Sequence, residues 1–122
     1  MTADVNPDAV SAAARALDEH FCETVRWHFS PETGTPYWLD WAGKAGWNPA
    51  EEVTSFADIT RFDNFDGELL RTEPHQRWIP KAYEGRPFTI FETGGTTGMP
   101  KQRIGWEDYK YDYESFSETL DE

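Results

Sequence analysis

Between Thr93 and Lys101 the chain reads Thr-Gly-Gly-Thr-Thr-Gly-Met-Pro-Lys, three glycines, three threonines and one lysine in nine residues. Glycine lets backbone approach a ligand closely and take conformations closed to other residues. Successive N–H groups of such a segment can converge on an anion. Thr93, Thr96 and Thr97 add hydroxyl donors, Lys101 adds a mobile positive charge, and Pro100 stiffens the exit. Donors with so little bulk suit the oxygens of a polyphosphate, and Thr93, Gly94, Gly95, Thr96, Thr97, Gly98 and Lys101 are the candidate phosphate-binding residues.

Two common phosphate motifs do not fit. A Walker-type loop needs Gly, four residues, then Gly-Lys-Ser/Thr, whereas Met99 stands five after Gly94 and Gln102 follows Lys101. The dinucleotide pattern Gly-x-Gly-x-x-Gly is absent. Other chemistry-bearing residues are weaker candidates. His20, His28 and His75 have no metal-ligand spacing, so no metal site is expected. Asp63, Asp66 and Glu68 read as turn and cap residues on a solvated surface. Cys22 is the only cysteine, lies on an apolar helical stripe and reads as a packing residue.

The elements that must carry the loop are legible from caps and periodicity. Asn6-Pro7-Asp8 reads as a helix start, and Val10, Ala13, Ala14, Leu17, Phe21, Val25 and Phe29 follow at helical spacing, predicting a helix over 7–29. Thr35-Pro36 opens a second helix with Gly46 as its stop. Short helical pieces are expected over the rest of 35–74, at Asn48-Pro49, after Ser55 and around Gly67 to Leu70. The stretch Pro80 to Pro87 reads as irregular. Phe88-Thr-Ile-Phe91 and Gln102-Arg-Ile-Gly-Trp106 read as strands bracketing the loop over 88–106. Tyr109, Tyr113, Phe116 and Leu120 then mark an amphipathic helix over 107–120.

Composition bounds the partners. The chain has 122 residues, room for one domain with a modest core, and a net charge of −12. Leu, Ile, Val and Phe make up 21 residues, about 17%, a low share offset by six Trp and five Tyr. Residues 86–105 carry Arg86, Lys101 and Arg103 against Glu92, a net +2, whereas residues 106–122 carry −6. Such acidity argues against nucleic-acid partners, while the basic island around the loop can hold a small anion. No signal peptide or membrane span is apparent, and a single cysteine fits a reducing, cytoplasmic setting.

The nine residues Thr93 to Lys101 resemble the phosphate-binding signature of the adenylate-forming superfamily, the acyl- and aryl-CoA synthetases and their relatives: Ser/Thr, a small residue, Gly, Ser/Thr, Thr, Gly, any residue, Pro, Lys. Thr35-Pro-Tyr-Trp38, Ala45-Gly-Trp-Asn-Pro49 and Ser55-Phe-Ala-Asp-Ile59 resemble the N-terminal region of the phenylacetate–CoA ligase-like branch. The resemblance spans about Thr35 to Trp106. It implies a mostly helical leading part, then a β-hairpin around a Gly/Thr loop and a final helix, together forming an incomplete portion of a larger α/β domain. It also implies an ATP-dependent, AMP-forming ligase that uses Mg²⁺ and a carboxylic acid, with coenzyme A or another thiol as acceptor. On that reading residues 1–122 form a single N-terminal segment of the AMP-binding domain. The acid pocket, the ribose- and Mg²⁺-binding acidic motif and the catalytic lysine of the family lie beyond it, so the chain alone is expected to be inactive. Two alternatives accompany this one: a subunit completed by a separately encoded remainder, and a non-catalytic acidic interaction module.

Overall fold

A computed structural model describes residues 4–94 and 98–120. It is a mixed α and β structure: five α-helices, three 3-10 helices and one two-stranded antiparallel sheet among the described residues. Contacts gather the chain into two compact units. One runs to Asn64 and takes in Pro80–Ala82, and the other is Phe65–Ile79 with the described residues from Tyr83 on.

In the first unit, α1 is Pro7–His28. Asn6 accepts a hydrogen bond from the Asp8 amide through its side chain, and Pro7 occupies the first turn, where no amide partner is needed. Helix α2 is Pro36–Ala45 and ends at Gly46 in the left-handed conformation; α3 is Pro49–Glu52, and a 3-10 helix spans Phe56–Arg61. Asn48 caps α3 reciprocally: its carboxamide accepts from Ala50 N at 3.2 Å, and Glu52 accepts from Asn48 N at 2.6 Å. Asp58 accepts from the amides of Thr54 and Ser55 at 2.9 and 3.2 Å, closing the start of the 3-10 helix. Asp18 on α1 accepts from Phe56 N at 2.9 Å, tying that helix to α1.

The core of this unit is small and aromatic-walled. Cys22, Val25 and Val53 are buried, with Phe21, Phe29, Trp47 and Phe62 packed against them. Trp41 and Phe62 stack at 5.4 Å, Trp47 meets Phe62 edge-on at 5.1 Å, and the Arg61 guanidinium lies 4.1 Å over Trp47. Cys22 Sγ sits 3.7 Å from the Val53 carbonyl oxygen, a packing position. The apolar stripe of α1 is used only in its second half, since Val10 and Leu17 are 51% and 46% exposed. Helical periodicity marks a face but does not fix how far neighbouring elements extend along it.

Thr35 departs from the capping role its sequence suggests. It makes no side-chain cap to α2; its hydroxyl, almost fully buried, instead bonds His28 Nδ1 at 2.9 Å. Burial lowers the His28 pKa below its ordinary value.

In the second unit, α4 is Leu69–Thr72, followed past Pro74 by a 3-10 helix at His75–Trp78, beyond the short helical pieces expected up to residue 74. Strand β1 is Thr89–Glu92, β2 is Gln102–Gly105, and α5 is Asp108–Ser117. The strands pair Thr89 with Gly105, Ile90 with Ile104, Phe91 with Arg103 and Glu92 with Gln102. Tyr83 packs edge-on against Trp106 at 4.8 Å, and Asp108 accepts from Trp106 N at 2.9 Å at the turn into α5. Among the described residues no helix is long and apolar enough to cross a membrane.

Candidate functional site

The hairpin delivers both ends of the Gly/Thr loop to one place. Beyond the Glu92–Gln102 pair, Thr93 N donates to the Lys101 carbonyl at 3.0 Å, and Lys101 N donates to Thr93 Oγ1 at 3.0 Å. This reciprocal clasp fixes the root of the loop. It also assigns Thr93 a different task from the one its sequence suggests: its hydroxyl oxygen accepts from the Lys101 amide, which leaves the hydroxyl proton for a ligand oxygen. Gly94 is exposed, and Gly98 has φ of 133°, a conformation that L side chains rarely adopt. Gly95, Thr96 and Thr97, the middle of the predicted phosphate cradle, lie outside the described residues.

Lys101, one residue before β2, and Arg103 within it stand two apart, and both face the same cleft. Both line a cleft of about 340 Å³, together with Phe65, Gly67, Leu70, Phe91, Glu92 and Thr93. The ammonium of Lys101 lies over Gly67, so close that a Cβ there would stand 3.0 Å from Nζ. Glycine at 67 therefore leaves room for the lysine head. Gly67 and Lys101 are far apart in sequence, and nothing in the local pattern around residue 67 announces that contact.

The electrostatics of the cleft favour an anion. Among the described residues, no acid forms an ion pair with Lys101 or Arg103, and the single carboxylate in the lining is Glu92. Glu92 Oε1 accepts from Gln102 Nε2 at 2.7 Å, which ties the acid back onto its own ladder. Two cations against one carboxylate leave the cleft lining net positive in a chain of net charge −12. Phe65, Leu70 and Phe91 give the same cleft an apolar wall, and low-dielectric walls strengthen the field of charges placed beside them.

The remaining titratable groups do not gather into a second centre. Among the described residues there is no group of three or more His, Cys, Asp or Glu side chains placed to hold a metal ion. His28 belongs to the core of the first unit through Thr35. Of the acids set aside in the sequence reading, Asp66 accepts from Glu68 N at 2.9 Å, and Glu68 pairs with Arg71, so these two act locally in the turn and first residues of α4.

Comparison with known proteins supplies no relative: no protein-family model matches the chain, and no curated protein matches its sequence.

Proposed function

We propose that this chain carries the phosphate-gripping element of an ATP-dependent, AMP-forming ligase for a carboxylic acid, and that its hairpin belongs to a larger α/β domain. The observation that supports this best is the cation arrangement: Lys101, clasped to Thr93 at the root of the Gly/Thr loop, turns its ammonium into a cleft it shares with Arg103 and no ion-paired acid among the described residues. In such a ligase, ATP supplies an adenylyl group to the carboxylate and pyrophosphate leaves; the acyl group then passes from the acyl-adenylate to a thiol such as that of coenzyme A, and AMP leaves. Magnesium enters this reading as the companion of the nucleotide.

The chain's own residues would do electrostatic work. Lys101 and Arg103 would neutralise charge that grows on the departing pyrophosphate, Thr93 would offer its hydroxyl proton, and Gly94 and Gly98 would present donors without side-chain bulk. Donors held in place before the reaction cost no reorganisation when charge develops, so their effect falls on the transition state. Thr96, Thr97 and Gly95 belong to the same cradle by their sequence. Nothing in this role needs an acid pocket, so the chain is expected to bind MgATP with no carboxylic acid present.

The test is thermal unfolding with and without MgATP. At nucleotide a hundred times its dissociation constant, the chain gains about 2.7 kcal/mol, and Lys101→Ala removes most of that gain. A melting temperature indifferent to MgATP, or an equal gain in the Lys101→Ala variant, overturns the proposal.

A further inference from the structure

Helix α5 turns its apolar residues outward. Tyr109, Tyr113, Phe116 and Leu120 are 44%, 75%, 61% and 60% exposed. The first three lie within α5 at spacings of four and three and make one stripe, about 10 Å long at the helical rise of roughly 1.5 Å per residue, while Leu120 stands past the end of the helix at Ser117. Phe91, reaching across from β1 to within 5.9 Å of Tyr109, turns the upper stripe into one wall of a groove of about 410 Å³ that also holds Asp112, Tyr113 and Phe116. A surface of this kind, contiguous, aromatic and uncovered, marks an interaction site rather than ordinary solvent-facing scatter.

Charge selects the occupant. Residues 106–122 carry −6. Within α5 the single cation, Lys110, lies 4.0 Å from Glu114 and is spent on it, while Asp112 in the groove meets no cation among the described residues. A second copy of this chain would bring the same negative charge against itself, and an anionic lipid surface or a nucleic acid would be repelled in the same way. We infer that this face docks an amphipathic helix of another protein, with about two turns in contact, whose apolar side chains enter the groove and whose flanking Lys or Arg residues meet Asp112. The mode is helix against groove, with apolar anchors giving affinity and the acidic rim giving orientation and choice of partner. This inference is independent of the nucleotide reading, because it uses neither the Gly/Thr loop nor Lys101.

The experiment titrates the full 122-residue chain into two labelled helical peptides with the same apolar face, one flanked by Lys and Arg, the other by Glu, and reads fluorescence anisotropy. The basic peptide binds at least about tenfold more tightly than the acidic one and loses that advantage as salt rises from about 50 to about 500 mM. Asp112→Asn weakens the basic peptide several-fold, and Tyr113→Ser with Phe116→Ser abolishes its binding. These side chains are mostly solvent-facing, so an unchanged far-ultraviolet circular dichroism spectrum and an unchanged urea midpoint confirm that the variants fold. Equal binding of both peptides, no binding of the basic one, or binding indifferent to Tyr113 and Phe116 overturns the inference. So does a dimer of the chain alone that Tyr113→Asp dissociates, since it would give the face to a second copy.

Discussion

Val53 in the first unit is 2% exposed and Tyr113 in the second is 75% exposed, and the contrast extends to how each region uses some of its charged groups and rings. In the first unit, polar groups find partners within a few residues: Asn48 with Glu52, Asp58 with Thr54 and Ser55, Thr35 with His28. Its rings pack on one another around Phe62. In the second, two cations of the cleft and the groove carboxylate Asp112 have no ion-pair partner among the described residues, and an aromatic stripe stands open. Pairing spares the buried Thr35 hydroxyl the cost of a lone buried polar group, and the exposed pairs fix the caps that start α3 and the 3-10 helix, so local satisfaction is the mark of a region built for stability. Unspent charge and uncovered apolar surface are the mark of one built to meet something else.

The comparison breaks most readily at Val53. Val53→Ala should cost about 2 kcal/mol, from two lost methyl groups and the space they leave. Urea unfolding followed by tryptophan fluorescence reads this loss, and binding of MgATP by the folded variant should be unaffected. Loss of nucleotide binding at conditions where the variant remains folded would erase the distinction between the regions.

Gly67→Ala probes the other side. The new methyl would sit where the Lys101 ammonium lies, and that flexible head gives way by moving off its position. MgATP affinity should fall about fivefold, roughly 1 kcal/mol, with urea stability almost unchanged. Titration calorimetry checks it; unchanged affinity would mean that the seat over Gly67 plays no part in nucleotide binding.

Thr35→Val should cost about 1 kcal/mol, because it removes a hydrogen-bonding hydroxyl from a buried pair and leaves His28 Nδ1 without it. A smaller effect follows from pH. Burial holds the His28 pKa below 6.5, its ordinary value. The unfolded chain therefore takes up the proton more readily, and the first unit loses stability as pH falls below about 6.5 and through the folded value. His28→Asn should flatten that part of the pH profile. Glu52 and Asp58 act in the same direction at lower pH: backbone amides, from Asn48 in one case and from Thr54 and Ser55 in the other, hold both pKa values down. Their contribution is present above the ordinary carboxylate range and is lost as pH falls through the lowered values. A profile unchanged by His28→Asn between pH 7 and pH 5, about the range of its titration, would assign the acid loss to the carboxylates alone.

What was legible in the sequence was local. Asn6-Pro7-Asp8 starts α1, Gly46 stops α2, and the β-branched and aromatic run before Thr93 forms β1, because caps, left-handed ends and strand preferences are decided within a few residues. The strands that bracket the loop, β1 before Thr93 and β2 after Lys101, were legible for the same reason. What was hidden depends on pairs distant in the chain or on how elements cover one another. Gly67 beneath Lys101 is one case, and the solvent-facing Val10 and Leu17 on a stripe that looks like core are another. Thr35 is a third: its position before Pro36 reads as a cap, yet His28 competes for the hydroxyl and takes it.

The most direct measurement is phosphorus NMR of MgATP titrated with the chain and with Lys101→Ala. The β- and γ-phosphate resonances should shift and broaden with the unaltered chain, the α resonance should respond less, and the Lys101→Ala variant should leave all three close to their free positions. A spectrum unmoved by the chain, or moved equally by the variant, would contradict the nucleotide reading.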